Sequence, residues 1–270
     1  MVVEESTYKD KNSAFPVTSE RLLSAVCLYN HNLNGSQTPE ISVIMPALNE
    51  ERAVGNLIDR TQAILNKITP NYEIIVIDDG SKDRTLDICR TKHVTVIHNR
   101  FNCGKGYALR EGFKRARGNI ILTIDSDGDH HPEEIPSLLH PLLYGQAEIA
   151  LGTRFAHNGK VPVTTAINTF GNRLFNFLIH RLTRHKFTDT QCGFRAFKRD
   201  CLSPLNLESF GYNIETEMIV QLARHHLPYC EVPVSSPITF FRKSNINRLK
   251  DGLSILFTIL KTRLKKPSQK

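Results

Sequence analysis

No stretch of this 270-residue chain approaches the ~20 apolar residues that a spanning helix needs. That argues against an integral membrane protein. The six cysteines form no CxxC pair and no Cys/His metal spacing. Neither a disulfide framework nor a zinc site is expected, but reduced, mostly buried thiols of a cytosolic protein. The opening MVVEESTYKDKNSAF is polar and acidic rather than basic and then apolar, so no signal peptide is read there. Internal repeats, low-complexity tracts and the GxxxxGK[ST] phosphate loop are also missing.

What is present is an ordinary globular balance, 40% hydrophobic and 23% charged, with a formal net charge of +8. Such a balance excludes general disorder, and the basic excess favours anionic partners: nucleic acid, phosphates or an acidic membrane face. The excess is uneven. Arg248–Lys270 holds seven basic residues and one acid, a net +6, and leaves 28 basic and 26 acidic residues, a net +2, for the rest. We divide the chain into a polar extension (1–39), a catalytic-sized domain (40–247) and a basic amphipathic tail (248–270).

From Ile41 onward, β-branched runs alternate with amphipathic stretches. Strands are expected at 41–46, 72–78, 93–98, 119–125 and 147–154, with 189–197 and 229–234 in the second half. Val54, Leu57, Ile58, Thr61, Ile64, Leu65 and Ile68 make one helical face, with Glu50 and Glu51 in its first turn. Ser81 or Asp83 is expected to cap the next helix. Another helix follows Gly104, and one lies near 214–224. This order specifies an α/β fold, a doubly wound, mostly parallel Rossmann-like sheet. Ligands of such sheets lie beyond the carboxyl ends of the strands, where the polar clusters fall.

Asp125, Asp127 and Asp129 are three carboxylates in five residues after a buried strand. Their mutual repulsion is relieved by a divalent cation, and oxygen donors suit Mg²⁺ or Mn²⁺. An EF-hand loop would need Gly and Glu where His130 and Pro136 stand. A haloacid-dehalogenase-type nucleophile belongs after the first strand of its domain, and this cluster follows the fourth. A solvated acidic turn is the remaining alternative. Asp78-Asp79 can accept from base N–H groups or ribose hydroxyls. In Asn102-Cys103-Gly104-Lys105-Gly106, glycines permit close approach and a helix N-terminus with Lys105 attracts phosphate.

Taken in order, PALNEE (46–51), DDGSKDRT (78–85), NCGKGYALREG (102–112), DSDGDHHPEEIP (125–136), GTRF (152–155) and DTQCGFRAF (189–197) resemble the family 2 inverting glycosyltransferases. The similarity is greatest to their dolichol-phosphate mannosyl- and glucosyltransferase branch and covers about residues 41–250. It implies the GT-A fold, a nucleotide-sugar donor (GDP-mannose or UDP-glucose) and a polyprenyl (dolichyl) monophosphate acceptor. To the nucleotide it assigns Pro46, Ala47, Asn49 and Glu50, then Asp78, Asp79 and Lys105, with Asp125 and Ser126 beside them. It makes Asp125 and Asp127 metal ligands, with Asp129 where relatives often have Gln. Arg154 and Arg242 match acceptor-phosphate arginines, and Asp127, Arg154 and Arg242 form the implied catalytic set. Arg195 reads equally as framework or function, and His130 more as loop packing than catalysis. Relatives carry a further basic residue near 164–168, where this chain has Thr164, Thr165 and Asn168; Lys160 and Arg173 are the substitutes at hand.

A phosphate acceptor is already an anion and requires no general base. A membrane-held acceptor gives the apolar stripes at 167–178 and 249–264 a use, lying in the interface among anionic headgroups. The competing use is packing on the core or on a second copy in a homo-oligomer. The expectation is a cytoplasmic protein, peripheral to the membrane's cytoplasmic face, with no call for nucleic acid. Two alternatives stay open: a family 2 transferase with a hydroxyl acceptor, for which only Asp189 offers a base, and a silent nucleotide-sugar-binding partner.

Overall fold

The computed structural model describes residues 39–155, 177, 179–181, 183–235 and 257. Arg242, both apolar stripes (but for Phe177 and Phe257) and residues 1–38 and 258–270 lie outside them. Seven strands form one sheet: β1 (Ile41–Ala47), β2 (Tyr72–Asp78), β3 (Thr95–His98), β4 (Ile120–Thr123), β5 (Ile149–Thr153), β6 (Arg195–Lys198) and β7 (Tyr229–Pro233), in spatial order β3-β2-β1-β4-β6-β5-β7. All pairings are parallel except those of β6, which runs antiparallel to both β4 and β5.

Helices cover both faces: α1 (Val54–Leu65), α2 (Thr85–Arg90), α3 (Lys105–Arg115), α4 (Ile135–Leu143) and α5 (Ile214–Arg224). Strand side chains alternate between faces, and the core divides accordingly. Val43, Met45, Ile74, Val76 and Leu122 pack with the Val54, Leu57, Ile58 and Leu65 face of α1 and with Leu138, Leu139 and Leu142 of α4. Ile44, Ile75, Ile77 and Ile121 pack with Ala108 and Leu109 of α3 and with Met218, Ile219 and Leu222 of α5. Strands buried on both faces are largely apolar, which is why ISVIM and IIVI do not alternate, and the buried Ser42 hydroxyl donates to Glu73.

Several local expectations are corrected. α1 starts at Val54, so Glu50 and Glu51 lie in the turn before it and no acid occupies its first turn. Glu50 serves through its backbone, accepting the Ala53 and Val54 N–H groups. Neither Ser81 nor Asp83 caps α2, whose N-cap is Arg84. Ser81 Oγ instead accepts from the Asn49 N–H at 2.8 Å, and Asp83 accepts from the Thr85 N–H and hydroxyl. β4 ends at Thr123, which leaves Asp125 outside the strand, and of 189–197 only Arg195–Phe197 is strand.

Gly112 decides how closely α3 approaches the sheet. A Cβ there would stand 2.4 Å from Ile44 Cγ2 and 3.0 Å from Ile77 Cδ1. Gly112→Ala is expected to destabilise the protein by ~1–3 kcal/mol through overpacking, read as a lower urea midpoint at unchanged slope.

Candidate active site

The polar loops meet at the carboxyl ends of β1, β2 and β4, and hydrogen bonds hold them to one another. Asn49, at a left-handed φ of 56°, accepts the Lys82 N–H on Oδ1 at 2.8 Å. The Glu50 N–H donates to Thr85 Oγ1, and Glu51 Oε2 accepts from the Arg84 N–H. PALNEE and DDGSKDRT therefore form one double loop. Ala47 is buried, and its carbonyl accepts the Asp79 N–H.

Asp78 and Asp79 differ from the expectation that both face a nucleotide. Asp78 has no exposed surface, and its Oδ2 lies 2.7 Å from His98 Nδ1. Asp79 is 3% exposed and accepts the Asn99 side-chain amide and the Cys103 and Gly104 N–H groups at 2.7–2.9 Å. Asp79 thus shapes the NCGKG loop. Gly104 there has φ 94°, and a Cβ on it would overlap the Phe210 carbonyl oxygen.

Lys105 opens α3, and its ammonium lies 2.7 and 2.9 Å from the two Asp125 carboxylate oxygens. It also pairs with Glu215 at the start of α5. Burial opposes the charge on Lys105, but Asp125 and Glu215 overcome it and raise the pKa above the ordinary lysine value. Asp125 is held below the usual carboxylate range despite burial, chiefly by Lys105. This site therefore carries full charges. Ser126 is buried, and its hydroxyl has no partner among the described residues. His130 is 5% exposed, packs on Phe194 at 5.2 Å and stands 3.9 Å from Asp125. Burial lowers its pKa, which suits a packed neutral ring.

The three-carboxylate cluster does not come together: among the described residues no three His, Cys, Asp or Glu side chains converge as a metal-holding group. Gly128 (φ 81°) turns the chain, and the Asp129 N–H folds back onto Asp127 Oδ1 at 3.0 Å. Asp125 and Asp127 remain as a pair of hard oxygen donors. A Mg²⁺-type ion takes one or two carboxylates and completes its shell from phosphates and water, so the pair fits such an ion.

Arg154 follows β5 and is held by Asp189 in a bidentate fork, Nε–Oδ2 2.6 Å and Nη2–Oδ1 2.9 Å. Its backbone N–H also donates to Asp189. The Asp189 side chain is fully buried and that of Arg154 is 29% exposed. Although burial disfavours its charge, the Arg154 guanidinium keeps the Asp189 carboxyl below its ordinary pKa. Arg195 proves to be framework. It is 2% exposed and donates to the carbonyls of Cys192, Thr190 and Glu215.

Three contributors escaped the sequence reading. Glu215 resembles any acid opening a helix, and nothing local signals its burial. Gly193 lies inside a motif already singled out, and its role is spatial: a Cβ there would sit 2.5 Å from Asp125 Oδ2. Tyr212 is half-exposed, with the Lys105 ammonium 5.7 Å from its ring centre.

The model of the family described as "Glycosyl transferase family 2" matches residues 42–205. The chain belongs to glycosyl transferase family 2. A Methanocaldococcus jannaschii protein, MJ1222, is 31% identical over 86% of this chain and 95% of its own length. The UDP-N-acetylglucosamine–dolichyl-phosphate N-acetylglucosaminyltransferase of Methanococcus voltae is 27% identical over 84% and 97%. The undecaprenyl-phosphate 4-deoxy-4-formamido-L-arabinose transferase of Shewanella sediminis is 31% identical over 59% of this chain and 48% of that one. The fold is that of glucosyl-3-phosphoglycerate synthase from Mycobacterium tuberculosis, crystallised with Mn²⁺, UDP and phosphoglyceric acid. The TM-score is 0.71 at 22% identity, over 95% of this chain and 86% of that one.

The Arg154–Asp189 fork gives this transferase a pH-dependent prediction. Asp189→Asn is expected to cost ~2–3 kcal/mol at pH 7, less than the ~3–5 of a fully buried pair because Arg154 is partly solvated. The folded pKa of Asp189 is depressed. The difference between wild type and variant is therefore full above the unfolded carboxyl pKa of about 4 and shrinks as pH falls through the lower folded value. Urea midpoints at several pH values measure it.

Proposed function

We propose that this family 2 glycosyltransferase moves a sugar from a nucleotide-sugar donor to a polyprenyl monophosphate at a membrane surface. The observation that carries this reading is the guanidinium of Arg154. Asp189 fixes its plane, its side chain remains 29% exposed, and its charge acts on Asp125. A planar cation so fixed is built to align an anion. Asp189, the acid that offered a general base, is engaged by Arg154, and the buried Glu215 by Lys105. A phosphate acceptor makes that tolerable, because its oxygen is already ionised. The names of the M. voltae and S. sediminis relatives support the acceptor class.

In this mechanism Arg154 holds the acceptor phosphate in line with the anomeric carbon, with Arg242, outside the described residues, as its second clamp. Asp125 and Asp127 would hold a divalent cation, Mg²⁺ or Mn²⁺, which would supply positive charge to the departing diphosphate. Lys105 keeps a second positive charge at the same place. Asn49, Glu50 and the Asp79-shaped loop line the nucleoside end, with Pro46 and Ala47 as its floor. The attacking oxygen needs no proton removed, and the phosphate linking donor sugar to nucleotide leaves as the anion.

Mannose and glucose, as GDP-mannose and UDP-glucose, are two donors to test. The relatives' names add N-acetylglucosamine and formamidoarabinose. Among the described residues no helix is long and apolar enough to cross a membrane. We assign the basic tail and the stripe at 167–178 to peripheral contact with the cytoplasmic face.

Transfer of labelled sugar to a short polyprenyl phosphate tests the reading. Arg154→Lys is expected to lower kcat/KM by about 100-fold, because lysine keeps the charge but not the fork. Asp127→Ala is expected to lose turnover to a similar or greater extent. Wild-type rates in either variant refute the mechanism, and donor binding without turnover in the wild type favours the silent partner.

A further inference from the structure

The loop before α5 is clamped against the site on both sides, although no motif of the sequence includes it. The Gly106 and Tyr107 N–H groups donate to the Phe210 carbonyl. Gly104 and Gly106 press so closely on this loop that a Cβ on either would lie 2.3 Å from the carbonyl oxygen of Phe210 or Ser209. From the other side, Glu217 accepts the Glu208 and Ser209 N–H groups. A backbone held this way gives its side chains fixed positions at little further entropic cost on binding.

Tyr212 is carried by that loop. It is 42% exposed, and its ring faces the Lys105 ammonium at 5.7 Å. Its hydroxyl has no hydrogen-bond partner among the described residues, while Lys105, Asp125, Glu215 and Asp127 all act on it electrostatically. The ring therefore stands at the edge of the charged centre. The double loop of β1 and β2 builds the nucleoside end, and Tyr212 belongs to neither of those loops. It lies on the side of Lys105 where Glu215 and the second half of the chain pack.

Given the donor reading above, on which this step rests, we propose that Tyr212 is the platform for the donor sugar and sets sugar selectivity. A pyranose offers C–H groups on one face and hydroxyls at its rim. A half-exposed tyrosine with a spare hydroxyl matches both, stacking under the ring and bonding to its edge. Lys105, with the divalent cation that Asp125 and Asp127 would hold, offers positive charge to the diphosphate beside the ring, which brings the donor sugar toward it.

Calorimetric titration separates the sugar from the nucleotide. Wild type is titrated, with Mn²⁺, with UDP-glucose, UDP-N-acetylglucosamine, GDP-mannose, UDP and GDP. For the best-bound sugar nucleotide, Tyr212→Ala is expected to weaken binding by about tenfold, and Tyr212→Phe by about threefold, while the matching bare diphosphate changes by less than about twofold. In the transfer assay the alanine variant is expected to show altered preference among the three donors. Equal losses for sugar nucleotide and bare diphosphate overturn the proposal, as does no loss for either. Tyr212→Leu keeps the bulk of the loop and carries the same comparison if the alanine variant melts early. Wild type that binds none of the five ligands takes the proposal down together with the donor reading.

Discussion

The Lys105 ammonium holds the site together. It bonds to both oxygens of Asp125, after β4, and to Glu215, at the start of α5, and Lys105 itself opens α3. Two consecutive elements and a third from 110 residues away thus meet at one charge. Two carboxylates this deeply placed would otherwise protonate or repel one another. The ammonium holds Asp125 ionised, and Asp125 and Glu215 in turn keep the ammonium charged. Removing one member leaves an uncompensated charge, which costs far more than the pair contributes.

Around that centre, glycines set the distances. Gly193 lets the segment before β6 lie against the Asp125 carboxylate, and Gly104 and Gly106 let the loop before α5 lie against the NCGKG turn. Carboxylates then fix the loops. Asp79 gathers Asn99, Cys103 and Gly104, and Asp189 fixes Arg154. Acidic residues that read in sequence as ligand contacts are spent in part on building the shape. Asp78 is the extreme case, wholly inside and paired with His98.

That division explains what was legible. The strands were, because ISVIM, IIVI and IILT are apolar on both faces and turn residues bound them. So was the meeting of the polar loops at one end of the sheet, which follows from parallel strands and the polar clusters after them. Helix starts were less so: Glu50 and Glu51 suit a helix dipole by type, but their backbone is occupied in a turn that zips to the β2 loop. Grouping Asp129 with the metal carboxylates rests on spacing, and the turn at Gly128 undoes that spacing in three dimensions. Glu215, Gly193 and Tyr212 act through partners between 68 and 110 residues away in sequence, and no local pattern encodes those pairings.

Two arginines show why the distinction is chemical rather than positional. Arg154, just after β5, and Arg195, the first residue of β6, both stand in motifs that the chain shares with the family. Arg195 spends its donors on three neutral carbonyls, which satisfy its hydrogen bonds but not its charge, and burial lowers its pKa. The first charge opposing that trend is Glu215. One carboxylate therefore balances both the framework guanidinium and the Lys105 ammonium. Arg154 is forked directly onto Asp189, and its side chain stays 29% exposed. A guanidinium held in a carboxylate fork and partly open to solvent can meet a further anion without unbalancing the interior, whereas a buried one that shares Glu215 cannot leave its place without disturbing the centre. The function we assign to Arg154, and withhold from Arg195, follows from that difference in compensation.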